Sequence, residues 1–213
     1  PYFHLILRRI FTMKLFTSLT AIASSLLATS IFALATVGQP APDIALRDVN
    51  GKAVKLSDFK GKQVVLEWTN PGCPFVQKHY DSNNMQNLQT KYDAKDTVWL
   101  SVNSTTKSHQ DYMSNDKLKA HIDAKKATPD AYLVDADGAA GKAYGAKTTP
   151  HMFVINPMGL VVYAGAIDDK PTAKKEDVTG AKNYVVAALD DLKAGKTVAM
   201  ANTKPYGCSV KYQ

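Results

Sequence analysis

The residues able to do chemistry gather around one cysteine. Cys73 lies in Asn70-Pro71-Gly72-Cys73-Pro74-Phe75-Val76-Gln77-Lys78-His79, directly after the apolar run Val64-Val65-Leu66. The apolar run reads as a buried strand, and Asn70-Pro71-Gly72 breaks it. Pro74 suits the first position of a helix, where its missing N–H costs nothing. A sulfur at that helix start faces unsatisfied backbone N–H groups and the positive end of the helix dipole. Both favour the thiolate, the reactive form of cysteine. Lys78 and His79 follow within two turns and could stabilise it, as could His151. The same residue types also allow a buried, inert cysteine or half of a structural disulfide.

The elements that must position Cys73 follow from pattern. Ile44 and Leu46, then Val54 and Leu56, alternate with polar or small residues around Asn50-Gly51, a two-residue hairpin signal. Ser57-Asp58-Phe59 reads as a turn or short helix, and residues 63–68 as a strand. The helix after Cys73 runs to about Tyr92, with a break near Ser82 where Asp81 to Asn84 are poor helix formers. Thr97 to Asn103 and Ala131 to Asp135 read as further strands. Ser104 to Lys126 reads as a polar, largely helical excursion carrying His109 and His121 on a solvated surface. A short helix is expected from Gly138 to Tyr144. Thr148 to Asn156 reads as a strand opened by Pro150, and Leu160 to Gly165 pairs back on it through the turn Asn156-Pro157-Met158-Gly159. Tyr184, Val185, Ala188, Leu189 and Leu192 carry helical spacing. The tail from Thr197 onward has no period and holds Cys208.

The N-terminus reads as processing sequence. Met13-Lys14, the apolar or small stretch Leu19 to Leu34, and the Ala33-Leu34-Ala35 ending form a secretory signal with cleavage after Ala35. The domain division is therefore 1–12 as upstream sequence, 13–35 as signal peptide, 36–195 as the folded domain and 196–213 as the tail. The alternative for 13–35 is a retained anchor. With the signal removed, no stable membrane anchor remains. The expected location is periplasmic or secreted, where two cysteines can pair.

The chain has 26 Lys and Arg against 19 Asp and Glu, a charge of +7, and loss of Arg8, Arg9 and Lys14 leaves +4. The lysines form no stripe interleaved with aromatics, which argues against nucleic acid as a partner. Asn103-Ser104-Thr105 matches a glycosylation sequon by a short pattern only.

The order of strand, cysteine at a helix start, strand, Thr-Pro opening a hairpin, and closing helix resembles the thioredoxin fold. Ala41-Pro42-Asp43 through Asp58-Phe59-Lys60-Gly61-Lys62 resembles the redoxin branch, the alkyl hydroperoxide reductase/thiol-specific antioxidant group. The resemblance spans about residues 38–195. It implies an α/β fold with a central mixed sheet flanked by helices and an N-terminal β-hairpin. It implies a cis Thr149–Pro150 bond with Pro150 against Cys73, leaving the backbone before the proline free to pair with an extended thiol substrate. It implies that Glu67, six residues before Cys73, is a buried acid serving as proton relay, although strand alternation equally allows a surface residue.

Two departures shape the expected chemistry. The thioredoxin motif is Cys-x-x-Cys, and here Val76 stands at the second cysteine. Peroxiredoxins use Pro-x-x-x-Thr/Ser-x-x-Cys and a later arginine. Here Leu66 and Asn70 hold those motif positions, and the only arginines, Arg8, Arg9 and Arg47, precede the cysteine. Cys208 is then the one possible intramolecular partner of Cys73, as a resolving thiol or as the other half of a staple. The leading expectation is an exported thiol–disulfide oxidoreductase acting on protein or small-molecule thiols and disulfides, with no cofactor or metal. Cys73 attacks, Cys208 resolves, and Thr149 and Pro150 shape the groove. A thiol peroxidase acting on peroxides is the alternative enzyme. A disulfide-stapled scaffold, or a copper(I) site of Cys73, Cys208, His79 and His151, is the non-catalytic alternative. Oligomeric state is left open.

Overall fold

The structure, a computed structural model, describes residues 34–92 and 96–212. The upstream sequence, and the signal peptide apart from Leu34 and Ala35, fall outside them.

The fold is built on β3 (Gln63–Trp68), the apolar run before Cys73. Its period-two alternation sends Val64, Leu66 and Trp68 to one face and Val65 and Glu67 to the other. Both faces are covered, so the strand has no polar side, as expected of a strand inside an α/β sheet. β3 lies parallel to β4 (Thr97–Asn103), which lies parallel to β5 (Ala131–Val134). On its other side β3 is antiparallel to β7 (His151–Ile155), which turns back into β8 (Val161–Gly165). β1 (Ala45–Asp48) and β2 (Ala53–Lys55) form the N-terminal hairpin and join at β5, giving a seven-stranded mixed sheet ordered β2-β1-β5-β4-β3-β7-β8.

Helices α1 (Pro74–Asp81), α2 (Asn84–Lys91) and α5 (Tyr184–Lys193) supply one core layer, with Val76, Tyr80, Met85, Leu88, Val185 and Leu189 packed on Val65, Trp99 and Met152. The opposite layer gathers Leu66, Trp68, Leu100, Phe153 and Tyr144, the last from α4 (Ala139–Tyr144). This is the expected sheet between helices, with the hairpin in place.

The break expected near Ser82 is present: Asn83 is left-handed, φ 58°, and separates α1 from α2. Three expectations are corrected. The hairpin loop has three residues, Val49 to Gly51, because Asp48 N–H donates to Lys52 O and Gly51 is left-handed at φ 83°. Val49 is drawn inward onto Leu118 and Tyr132, which the two-residue turn would not permit. The excursion 104–126 is helical only as α3 (Asn115–Lys125). Before it, Ser104 and Thr105 are buried and take hydrogen bonds from Trp68 Nε1 and Asn70 Nδ2, so that segment is a loop packed on the site. The strand read at 148–156 is two strands split by Pro150, β6 (Thr148–Thr149) and β7.

The tail is not a loose end. It forms β9 (Cys208–Ser209), antiparallel to β6, with Cys208 opposite Thr149 and Ser209 opposite Thr148. Among the described residues, no helix is long and apolar enough to cross a membrane. Asn103 is buried, with its Oδ1 accepting from Thr105 N, so the sequon is not presented to solvent.

Candidate active site

The site lies where β3 ends and β7 begins. These strands are antiparallel neighbours with Trp68 opposite His151, so the turn after β3 and the residues before β7 meet at one edge of the sheet. Asn70 builds the turn: its Oδ1 accepts from Gly72 N at 2.7 Å and its carbonyl accepts from Cys73 N at 3.0 Å. Cys73 is the N-cap of α1 and Pro74 its first residue, as the sequence indicates. The Thr149–Pro150 bond is cis.

The Cys73 thiol donates to Thr149 O at 3.0 Å, and its sulfur stands 2.7 Å from Cys208 Sγ. Both thiols are free. Cys73 is 1% exposed, whereas Cys208 is partly open to solvent. Cys208 is pushed up to about 12, first by burial and then by its contact with Cys73, so it keeps its proton beside its partner. Thr149 Oγ1 is buried without a hydrogen-bond partner.

Glu67 is fully buried on the α1 side of β3. Tyr80 Oη donates to its carboxylate at 2.9 Å, Trp99 Nε1 at 2.9 Å and Ser101 Oγ at 2.9 Å. Burial raises its proton affinity above the ordinary carboxylate range, and the hydrogen bonds pull partly back. The surface reading of Glu67 is thereby excluded.

The three expected thiolate partners are engaged elsewhere. Lys78 Nζ donates to Lys170 O at 2.6 Å and stands 3.7 Å from Asp168. His79 contacts Tyr206 and Asn84. His151 Nδ1 accepts from Lys147 N, and its ring packs on Phe153 with centroids 4.5 Å apart. For Lys78 and His79 the physical reason is helical spacing. Positions three and four after Cys73, Val76 and Gln77, share its face, whereas five and six, Lys78 and His79, do not. Burial pushes His79 down to about 3 and His151 to about 4, so both are neutral at physiological pH. The copper set is likewise not assembled. The two sulfurs meet without either imidazole, and among the described residues no three ligating groups converge.

Sequence reasoning missed Asp168 and Tyr206, which hold Lys78 and His79. Asp168 sits in a loop that reads only as polar, and Tyr206 in a tail without period. A signal was present in α1, where Phe75, Lys78 and His79 are spaced to share a face that faces Tyr206.

Comparison with known proteins agrees with the fold. The Redoxin family model matches residues 36–184. Thiol-disulfide oxidoreductase ResA of Bacillus subtilis is 28% identical over 125 residues, 59% of this chain, and the match spans 64% of that protein's length. Peroxiredoxin Bcp of the same organism is 27% identical over 162 residues, 74% of this chain and 94% of its own. A solved structure, of a conserved protein from Geobacillus kaustophilus, is 28% identical with a TM-score of 0.71, covering 84% of this chain and 93% of that one. The fold, the cysteine at the helix start and the match over most of the chain lead to one assignment: this protein belongs to the redoxin family.

Proposed function

We propose that this chain is a thiol–disulfide oxidoreductase whose redox pair is Cys73 and Cys208. One observation carries the proposal: two free thiols, 135 residues apart in sequence, lie 2.7 Å apart in space, one at a helix start and the other on a strand paired beside it. Cys73 is the attacking sulfur, because it caps the start of α1, where the helix dipole favours an anion. Its thiolate forms a bond to one sulfur of a substrate disulfide, and the other substrate sulfur leaves as a thiol. Cys208 then loses its proton and attacks Cys73 Sγ, forming the Cys73–Cys208 disulfide and releasing the second substrate thiol. The protein loses two electrons and two protons, and the substrate gains them. The reverse sequence oxidises a dithiol.

Thr149 and Pro150 form the groove. β9 pairs with Thr149 where an extended substrate would pair, so a protein disulfide must displace β9 to reach Cys73. Glu67, fixed beneath α1 by three donors, is the proposed proton relay. The leader read at 13–35 supports a location outside the cytoplasm, periplasmic or secreted, where a disulfide persists.

A second reading, thiol peroxidase, is favoured by the match to 94% of a peroxiredoxin. Cys73 would take one peroxide oxygen as sulfenic acid and release an alcohol or water. Cys208 would then condense with it, losing water. Against it, Asn70 is committed to the turn, and Arg47, the one arginine among the described residues, donates to Gly51 O in the hairpin at the far edge of the sheet. The deciding experiment gives reduced protein either a model disulfide or a peroxide and follows Cys73 oxidation by mass. Faster oxidation by the disulfide supports exchange, and faster oxidation by the peroxide overturns it.

A further inference from the structure

The exchange chemistry makes no use of a buried polar cluster on the far side of α1. Lys78 and Asp168 have side chains 0% and 2% exposed, and His79 0%. Burying such groups is costly unless each is paired. The group that completes their pairing is supplied by the tail. Tyr206 Oη donates to Asp168 Oδ1 at 2.5 Å. Asn84 Nδ2 donates to His79 Nδ1 at 2.9 Å, which leaves the proton on Nε2, and that N–H faces Tyr206 Oη at 3.3 Å. Lys78 Nζ donates to the same oxygen at 3.4 Å and lies 5.4 Å from the centre of the Tyr206 ring. Phe75 meets that ring edge-on at 5.9 Å.

Phe75, Lys78 and His79 share one face of α1, at positions i, i+3 and i+4. Cys73 begins the same helix. Three of the residues around Tyr206 and the reactive sulfur are thus carried by one helix. On the tail, one residue separates Tyr206 from Cys208. That residue, Gly207, has φ 135°, and a Cβ on it would lie 2.1 Å from Thr149 O. The tail chain therefore passes against the groove with no room for a side chain. A tyrosine seated in the socket fixes where Cys208 falls. Cys208 and Tyr206 both lie beyond the span of the family match, 36–184.

We propose that Tyr206 is a positioning residue and that Phe75, Lys78, His79 and Asp168 form its socket, seating β9 so that Cys208 meets Cys73. The inference rests on the reading of Cys208 as the resolving thiol. It implies opposite effects on two steps. Seating shields Cys73 from outside disulfides, which slows attack. Seating also returns Cys208 to a Cys73 adduct, which speeds resolution. A residue that merely supports the fold would not move the two steps in opposite directions.

The test uses the full chain and a chromogenic aryl disulfide, dithiobis(nitrobenzoate). Cys73 attack forms a mixed disulfide and releases one nitrothiobenzoate. Cys208 attack on Cys73 Sγ releases the second and closes the protein disulfide. The first phase depends on reagent concentration, and the second does not. In Tyr206→Phe, and separately in Asp168→Asn, the first phase should accelerate and the second slow, each by about tenfold, the scale of one hydrogen bond to a charged group. Unchanged phases, or two phases moving in the same direction, would overturn the positioning role. Cys208→Ser serves as the control for the underlying reading. If it shows the same second phase as wild type, Cys208 does not resolve Cys73, and the positioning role falls with that reading.

Discussion

Cys208 stands opposite Thr149 in an antiparallel pair, and the Thr149 carbonyl accepts from the Cys73 thiol. One backbone residue therefore touches both halves of the candidate redox pair. The tail strand thus covers the backbone of Thr149, where the proposed substrate would pair.

Replacing Cys73 by Ser should reduce thiol exchange to the rate of buffer while the fold survives. The exchange of sulfur for oxygen at a buried site costs about 1 kcal/mol. Turnover of a model disulfide and a thermal melt check both halves. Full activity in this variant would remove Cys73 as nucleophile.

Cys208→Ser should accumulate Cys73-linked mixed disulfides that wild type releases. Loop closure does not forbid the contact, because its cost grows only with the logarithm of loop length. Trapping adducts and mapping them by mass reads the result. Equal accumulation in mutant and wild type would make an outside thiol the resolver.

Gly207→Ala should lift β9 from Thr149. The added Cβ would collide with Thr149 O, and its backbone conformation is one that L residues rarely adopt, a cost of about 1–3 kcal/mol. In a Cys208→Ser background, alkylation of Cys73 should then rise by about tenfold or more. An unchanged rate would show that the tail does not shield Cys73.

Stability should fall in mild acid, before most carboxylates titrate. His79 and His151 take up a proton near 6.5 when unfolded, but only near about 3 and about 4 when folded. In between, the unfolded chain binds more protons, so stability is complete above about pH 6.5 and is lost progressively as pH falls toward those folded values. Glu67 acts in the opposite sense. Its raised proton affinity makes the fold hold a proton longer, so its own contribution declines as pH rises above 4.5. The two histidines outweigh the single glutamate, and Tm should drop between about pH 6.5 and about pH 4.5. His79→Gln should flatten part of that slope. A Tm that is level across the window would contradict the neutral, buried state of the histidines.

The sequence by itself determined the scaffold. Val64 to Trp68 alternate and run apolar, Asn70-Pro71-Gly72 must turn, and Cys73-Pro74 must open a helix. These are local consequences of side-chain period and backbone restriction, and each can be read within a few residues. The Thr149–Pro150 groove was reached through resemblance. Lys78 and His79 lie close to Cys73 along the chain, yet their side chains engage Asp168 and Tyr206. A helix turns 100° per residue, so short sequence distance does not put a side chain beside Cys73. Tertiary structure alone decided that the tail returns to the groove, that Glu67 faces the core, and that Asp168 and Tyr206 complete a buried cluster with α1. Those contacts join segments tens of residues apart. No periodicity encodes them, because they depend on which ends of strands and helices the sheet brings to the same edge.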